Sequence, residues 1–261
     1  MKRIFAIFLA AMLVFALVAC ENKTGEVTEP STTIDEGYKN GDLTVRQKRI
    51  LTQQGLPTYY EHLTERQKMS ITEIEEFLRY AENKYGFICE YVDYVAEDME
   101  TGILTCMAAE GETREYIFYV YRELGDEIVD TYMNVACIPT CEQMVQKYFD
   151  ESIPNIKAKV ACLVKTCNIT TLPIKAEQIA GNVIAKYWVF IDSANCNAET
   201  MKEIAENAKA WMEQNKLMGD MVMMLMEKDV TSMITSHNFH EYINSEYKMN
   251  EELLNVSADA E

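Results

Sequence analysis

Cysteine is the residue type with the widest chemical range in this chain, which contains eight of them. No two form a CxxC pair, so their spacing favours neither a thioredoxin-type dithiol nor a zinc ribbon. Disulfides form in proteins that are exported from the cytoplasm. Cys20 belongs to the N-terminal segment considered below, and the seven cysteines after it are an odd number, so at least one of their thiols has no intrachain partner. The seven that follow Cys20 are Cys89, Cys106, Cys137, Cys141, Cys162, Cys167 and Cys196.

Two pairs of these cysteines are candidates for disulfide bonds. Cys89 and Cys106 lie on neighbouring predicted strands, where their side chains could face each other. Cys137 and Cys141 lie on either side of a predicted helix start. The alternative is that these cysteines stay reduced and act as small buried hydrophobic residues, because several of them fall within apolar runs.

Three histidines are the remaining candidates for metal or acid–base chemistry: His62, His237 and His240. The last two are three residues apart and are followed by Glu241, so on a helix these three side chains could share a metal ion. Their order is neither HExxH nor HxxEH, the arrangements of zinc peptidases, and a third clear ligand is missing. We therefore expect solvent-facing histidines, and neither a metal nor another cofactor.

The run Met221-Val222-Met223-Met224-Leu225-Met226 allows two interpretations. Thioether sulfurs are soft ligands that suit cuprous ion. A strand buried on both faces would have the same composition, with methionines filling irregular gaps in the core. Because no cysteine or histidine is interleaved with these methionines, the sequence favours the buried strand.

A group of aromatic residues is concentrated on the predicted third strand. We expect it to pack across neighbouring strands, and any part that faces outward would form a ligand or partner surface. The group comprises Tyr116, Phe118, Tyr119 and Tyr121, with Tyr91, Tyr94 and Tyr132 on other predicted strands.

Charge and composition exclude several classes of protein. The net charge is −18 at pH 7, which repels phosphate backbones and argues against a nucleic-acid partner. Hydrophobic residues make up 48% of the chain, enough to build a core. The sequence therefore indicates a folded acidic protein.

The first twenty residues, MKRIFAIFLAAMLVFALVAC, have the organisation of an export signal. Lys2 and Arg3 precede an apolar run over residues 4–19, which is shorter than the about 20 residues of a membrane-spanning helix. A basic start and a short apolar core are typical of a cleaved signal peptide. The run ends in Leu17-Val18-Ala19-Cys20, which resembles the lipobox of bacterial lipoproteins.

This resemblance implies a defined series of modifications. Diacylglycerol would be attached to the Cys20 thiol, and a signal peptidase would cut between Ala19 and Cys20, removing residues 1–19. A further fatty acid such as palmitate on the new amine would strengthen the anchor, since two acyl chains hold a protein stably on a membrane. The implied location is the outer face of the cell membrane, or the outer membrane of a two-membrane cell, because Glu21 replaces the aspartate that retains lipoproteins at the inner membrane.

Residues 20–43 are polar and acidic, and with the lipidated cysteine they predict a flexible tether. The layout of the body that follows resembles uncharacterised lipoproteins of Gram-positive anaerobes. That resemblance rests on no motif and implies no activity.

Residues 44–150 predict helices packed on an antiparallel four-strand meander. Thr44-Val45-Arg46-Gln47 and Thr64-Glu65-Arg66-Gln67 fit capping boxes at two helix starts. After the second box, apolar residues recur every three or four positions up to Gly86, which predicts an amphipathic helix. Aromatic and β-branched runs with short gaps predict the strands, at residues 87–95, 103–108, 116–121 and 128–135, with a further helix from residue 140.

Residues 151–249 have a different order, β-α-β-α-β, which indicates a mixed sheet with helical crossovers. The overall expectation is an α+β protein of one domain or two. Residues 250–261 are acidic and predict a disordered tail. The predicted elements of this half are strands at residues 159–167, 187–191 and 221–226 and helices at residues 174–185 and 201–212.

The sequence favours a non-enzymatic binding or envelope protein whose partner, beyond the membrane, is an unidentified protein or small molecule. It contains no Gly-rich phosphate loop, no GxSxG elbow and no dinucleotide fingerprint. An extracytoplasmic enzyme is the alternative, either a metal hydrolase that uses His237, His240 and Glu241 or a thiol enzyme.

Overall fold

The structure is a computed structural model that describes residues 42–96, 102–109, 111, 113, 116–123 and 126–256. The predicted signal peptide and most of the tether, with Cys20, lie outside these residues. None of the helices within the described ranges is long and apolar enough to cross a membrane.

Two helices open the described fold, α1 (Val45–Gln53) and α2 (Glu65–Tyr85). Both begin with the predicted capping box, in which the hydroxyls of Thr44 and Thr64 accept the N–H of the third helical residue. The glutamine at that position accepts the threonine N–H in return. Gly86 ends α2 in the left-handed region at φ 76°, a conformation that glycine adopts without steric cost.

The first sheet confirms the predicted meander. Its four strands lie in the order β1-β2-β3-β4, and all neighbours are antiparallel. The apolar stripe of α2 packs on one face, where Phe77 and Leu78 are buried in one core with Leu104, Phe118 and Val120. The strands are β1 (Cys89–Ala96), β2 (Gly102–Ala108), β3 (Phe118–Arg122) and β4 (Ile128–Asp130).

The predicted strand over residues 128–135 is wrong in its second half. β4 ends at Asp130, and a long helix, α3 (Tyr132–Ser152), begins at once and replaces the predicted start at residue 140. The Asp130 carboxylate accepts the Tyr132 N–H at 2.9 Å and so satisfies one of the free donors at the helix start. The aromatic and β-branched composition of this stretch favoured a strand, but Val135 and Ile138 have the three-residue spacing of a buried helix face.

The second sheet is mixed, as predicted. β5 and β6 are antiparallel, β6 and β7 are parallel and joined through the helix α5 (Ala198–Gln214), and β7 and β8 are antiparallel. The strand order is β5-β6-β7-β8. The strands are β5 (Ala158–Cys167), β6 (Val183–Asp192), β7 (Met218–Met226) and β8 (Lys248–Val256).

Two sequence predictions in this half need correction. The helix predicted over residues 174–185 is reduced to one turn, α4 (Ala176–Ile179), because β6 begins at Val183. Residues 250–256 belong to β8, so the predicted disorder is wrong for them, and residues 257–261 lie outside the described ranges. The acidic residues that suggested a tail lie on an edge strand, where charge discourages pairing with other chains.

The second sheet is covered on both faces. α3 and α5 pack on one face, and a 3-10 helix (Val230–Met233) packs with α6 (Phe239–Ile243) on the other. Met221 and Met223 point into the first of these layers and Met224 and Met226 into the second, all without exposed surface. The structure therefore confirms the predicted buried strand.

α3 belongs to both cores. Tyr132 and Val135, in its first turn, pack in the core of the first sheet. Cys137, Val145 and Phe149, further along, pack on the second sheet. One helix thus links the part predicted over residues 44–150 with the sheet that follows.

Candidate functional site: a groove beside β5

A groove of about 400 Å³ lies where the first sheet, α3 and β5 meet. Its walls come from β3 and the residues before it, from the start of α3, from β5, and from the loop that precedes α6. Small-molecule sites in proteins are usually concave and mostly apolar, with a few polar groups, and occupy about 300–1,000 Å³. The lining residues are Tyr116, Ile117, Tyr119, Thr131, Asn134, Val135, Ile138, Leu163, Val164, Ser236 and His237.

The rim of the groove carries apolar side chains that face water. Phe118 and Val120 are buried in the first core, so the alternation of β3 turns Tyr119 outward, where it is 47% exposed. Ile117 is 48% exposed and Leu163, on β5, is 51% exposed. Apolar groups grouped at one concave place indicate a surface for a ligand or partner. Tyr119 is thus a member of the aromatic group of β3 that faces outward.

The start of α3 forms the floor of the groove. Val135 and Ile138 are three residues apart on the same helix face, and both are buried beneath the opening. Asn134 precedes them, and its Nδ2 donates to the Lys165 carbonyl of β5 at 3.4 Å. This contact fixes the helix start against the strand that supplies the opposite wall.

Glu142, on α3, ties two further parts of the site together. Its Oε1 accepts the backbone N–H of Cys162 at 3.0 Å, and its Oε2 accepts the Ser236 hydroxyl at 2.6 Å. Burial raises the pKa of the Glu142 carboxyl above its usual range, although these two hydrogen bonds oppose the change. Because both oxygens are engaged, Glu142 has a positioning role: it caps the edge of β5 and holds the loop that closes the groove.

The structure brings one of the three weak metal candidates into the groove. The His237 ring lies 5.2 Å from that of Tyr116, centroid to centroid. His240 and Glu241 lie on α6, where the His240 ring contacts Phe239. Across the described ranges, no three or more His, Cys, Asp or Glu side chains come together in a way that could hold a metal ion. The groove presents aliphatic and aromatic side chains, hydroxyl groups, the Asn134 amide and the His237 imidazole.

The candidate pair Cys137 and Cys141 is arranged differently from the sequence expectation. Both cysteines lie within α3, four residues apart, and each contacts a cysteine of β5. The Sγ atoms of Cys137 and Cys167 are 2.9 Å apart, and the thiols of Cys141 and Cys162 form a hydrogen bond. All four are thiols in the structure. The sequence did not identify the two β5 cysteines as partners.

Cys89 and Cys106 do contact each other from neighbouring strands, as the sequence suggested. The register places Cys89 opposite Ala108 and Cys106 opposite Tyr91, so the two cysteines are diagonal neighbours. Their hydrogen bond, together with burial, raises the pKa of the Cys106 thiol. A raised pKa disfavours the thiolate, which is the reactive form.

The other buried thiols give little support to a thiol enzyme. Burial raises the pKa of Cys137 and of Cys162. A hydrogen bond from Cys162 lowers the pKa of Cys141, but Cys141 has no exposed surface with which to meet a substrate.

Comparison with known proteins adds one weak structural likeness. No family model and no curated protein matches the sequence. The chain is similar to a crystal structure of a DUF5037 family protein from Ruminococcus gnavus ATCC 29149, at 13% sequence identity and a TM-score of 0.38. The match covers 70% of this chain and 89% of the other.

Sequence reasoning missed most of the groove. Glu142 falls just after the predicted helix start at residue 140, and the sequence singles out neither Leu163 nor Ser236. One signal was available: Glu142 and Gln146 are polar residues four apart on α3, a spacing that puts them on one face of the helix. Both accept a backbone N–H of β5, and Gln146 also donates to a β5 carbonyl.

Proposed function

We propose that this chain is a non-enzymatic binding lipoprotein, held on the outer face of the cell membrane by a diacylglyceryl group on Cys20. Its groove binds a small, uncharged amphipathic molecule. The observation that carries the binding role is the half-exposed apolar rim of Ile117, Tyr119 and Leu163 around a groove of about 400 Å³.

The chemistry of the lining supports an uncharged ligand. Among the described lining residues there is no Asp, Glu, Lys or Arg side chain, and the acidic charge of the chain disfavours anions. The polar groups that remain are hydroxyls, the Asn134 amide and the His237 imidazole, each of which can exchange a hydrogen bond with an uncharged molecule. A ring or branched aliphatic group would pack against Tyr119 and Leu163, while a single donor or acceptor would meet Thr131 or Ser236.

The anchor is supported by the sequence of residues 1–20. The basic start, the apolar run of limited length and the cysteine at its end agree with one another, and each is needed for lipid attachment to an exported chain. The polar segment after Cys20 supplies a tether between membrane and body.

Indole tests the groove, because it is uncharged, aromatic and carries one N–H donor. The full-length protein in a neutral detergent is heated with increasing indole concentration, and unfolding is followed by circular dichroism. At ten times the dissociation constant, binding stabilises the folded state by about 1.4 kcal/mol, which raises Tm by about 3–6 °C in a domain of this size.

Two matched variants separate groove binding from uptake by the detergent. Leu163 lies on the edge strand β5 and Leu253 on the edge strand β8 of the same sheet, and both side chains are more than half exposed. We expect Leu163→Glu to abolish the indole-dependent rise in Tm and Leu253→Glu to leave it intact. Equal rises in the two variants, or no rise in the native protein, would refute binding in the groove.

The anchor is tested in the producing cell by labelled palmitate and by fractionation. The native chain should incorporate the label, remain in the membrane fraction and begin at Cys20 when its N-terminus is analysed by mass spectrometry. Cys20→Ser should lose the label and leave the membrane fraction, whereas Cys196→Ser should behave as the native chain. A mature protein that still begins at Met1, or membrane retention of Cys20→Ser, would overturn the lipid anchor.

A further inference from the structure

α3 runs along the free edge of β5, and hydrogen bonds between them follow a regular order. Gln146 accepts the N–H of Val160 at 3.0 Å, and one helical turn earlier Glu142 accepts the N–H of Cys162. A step of two residues along β5 therefore has about the same length as a step of four residues along α3, about 6–7 Å, so successive hydrogen bonds can form between them. Because Glu142 fixes this register, the preceding residue, Cys141, is brought to Cys162.

A β-bulge brings Cys167 to the same helix. In a regular strand, residues five apart point to opposite faces, so Cys162 and Cys167 would face apart. The pairing of β5 with β6 shifts register between Val164 and Thr166, and one extra residue there restores the two cysteines to one face. The Sγ of Cys167 consequently lies 2.9 Å from that of Cys137, one turn before Cys141 on α3.

We propose that the mature exported protein contains two disulfide bonds, Cys137–Cys167 and Cys141–Cys162, which fasten α3 to β5. The 2.9 Å separation of the first pair requires less than 1 Å of further approach to reach the S–S bond length of about 2.05 Å. The two bonds join the floor of the groove to one of its walls, because α3 supplies the floor and β5 supplies Leu163 and Val164.

Each bond forms by thiol–disulfide exchange. Two thiols lose two protons and two electrons, and the electrons pass to the disulfide of an extracytoplasmic thiol–disulfide oxidoreductase, which leaves as a dithiol. Cys167 is half-buried, so its sulfur is the one that such a partner reaches in the folded chain. Cys141 and Cys162 are buried, so their bond forms before α3 closes on the sheet.

The remaining cysteines have a different geometry. Cys89 and Cys106 are diagonal neighbours in an antiparallel sheet, a relationship with a typical Cα separation of about 7–8 Å, beyond the about 4.4–6.8 Å that disulfides usually span. Cys196 precedes α5, and its thiol contacts the Asn197 carbonyl. The proposal therefore concerns the four cysteines of α3 and β5.

The test uses the full-length protein in intact cells. Free thiols are alkylated with iodoacetamide during acid-quenched lysis and denaturation, without reductant, and tryptic peptides are analysed by mass spectrometry. Trypsin places Cys137 and Cys141 together in peptide 123–147, Cys162 in peptide 160–165 and Cys167 in peptide 166–175. We expect these three peptides as one disulfide-linked complex that separates on reduction. Recovery of all three as alkylated single peptides from protein exposed at the cell surface would overturn the proposal.

A single variant resolves which cysteines are joined. In Cys137→Ser, peptide 123–147 should remain linked to peptide 160–165, and peptide 166–175 should be recovered alkylated. Linkage of peptide 123–147 to peptide 166–175 in this variant would overturn the pairing. Cys196→Ser is the matched control and should retain the complete complex.

The proposal depends on the export that is part of the proposed function, so protease digestion of intact cells is run alongside to determine exposure. If the protein proves not to be exported, the surface role fails, and the pairing is decided on purified protein that is reduced, unfolded and then refolded in oxidised glutathione, so that Cys141 and Cys162 can react before α3 packs on the sheet. Formation of the same three-peptide complex supports the pairing, and recovery of seven alkylated cysteines from the body refutes it.

Discussion

The Ser236 hydroxyl donates a 2.6 Å hydrogen bond to Glu142 Oε2, although 94 residues separate the two in the chain. The contact carries the loop before α6 across the edge of β5 to α3. Since the other oxygen of Glu142 accepts the Cys162 N–H, one carboxyl group holds three segments of the groove wall in place.

The pH dependence of stability should reveal this buried carboxyl group. Burial raises the pKa of Glu142, so the folded chain keeps a proton that the unfolded chain, with a pKa of about 4.3, has already released. The native protein should therefore lose stability relative to Glu142→Gln as the pH rises from about 4 through the folded pKa. Urea unfolding of both proteins from pH 4 to pH 8 measures the difference.

Glu142→Ala is the companion variant. It leaves the Cys162 N–H without its acceptor, so we expect a loss of about 1–3 kcal/mol in the free energy of unfolding at every pH. A difference in unfolding free energy between the native protein and Glu142→Gln that stays constant across this pH range would contradict a raised pKa of Glu142.

Gly219 permits the close parallel pairing of β7 with β6. Its φ is 120°, and a Cβ atom there would lie 1.9 Å from the Ala185 carbonyl oxygen of the neighbouring strand. Gly219→Ala should therefore lower the free energy of unfolding by about 3 kcal/mol or more, through both backbone strain and overlap. Gly86→Ala is the control: it has a positive φ but open space, so about 1–2 kcal/mol is expected. Equal losses of unfolding free energy in the two variants would show that the close approach of β6 to Gly219 adds nothing to the cost of the positive φ.

Arg46 anchors α1 on α2 through a bidentate ion pair. Its Nε and Nη2 each lie 3.0 Å from an oxygen of Glu75, which is 2% exposed. Although burial alone would raise it, the pKa of Glu75 is lowered by Arg46 and Arg79. Arg46→Ala should cost about 3 kcal/mol in the free energy of unfolding, because a buried charge loses a partner.

The ion pair has two informative controls. Lys147→Ala breaks an exposed pair with Glu151 and should change the free energy of unfolding by less than about 1 kcal/mol. The double variant Arg46→Met with Glu75→Leu removes both charges and should recover most of the loss. Failure of the double variant to recover would attribute the loss to packing of the Arg46 side chain or to its second ion pair, with Glu82 at 2.6 Å.

The methionines of β7 should behave as packing residues. Met224 has no exposed surface and lies in the layer with Trp188 and Phe190. Met224→Leu should change the free energy of unfolding by less than about 1.5 kcal/mol, whereas Met224→Ala should cost about 2–5 kcal/mol by leaving a cavity. Denaturant unfolding measures both, and stoichiometric cuprous ion binding that Met224→Leu removes would contradict this assignment.

Local sequence patterns predicted the elements whose burial follows a simple period. The stripe of α2 was found because Ile71, Ile74 and Leu78 recur at helical spacing between a capping box and Gly86. The start of α3 was missed because the composition of residues 132–139 favours a strand. The helix is stabilised by packing against both sheets, which the local sequence does not show. β8 was missed because an edge strand carries the charged residues that also mark a tail.

The groove could not be predicted in the same way, because it depends on contacts between distant segments. Tyr119, Ile138 and Leu163 belong to three separate elements and Ser236 to a loop, and no local period relates them. The β-bulge after Val164 could not be predicted either. It moves Cys167 to the other face of β5, and the sequence of the strand does not mark its position. Patterns with period two assume an unbroken ladder, so they fail beyond such a point.

The hydrogen bond between Ser236 and Glu142 also determines at which stage of translation the wall of the groove is complete. A ribosome delivers the chain from its N-terminus, so the first sheet, α3 and β5 are all available while the segment after β7 is still missing. A nascent chain halted before Ser236 would have the floor and two walls of the groove, with one carboxylate oxygen of Glu142 lacking its hydroxyl donor. The wall of the groove is therefore completed only in chains that have been translated past Ser236.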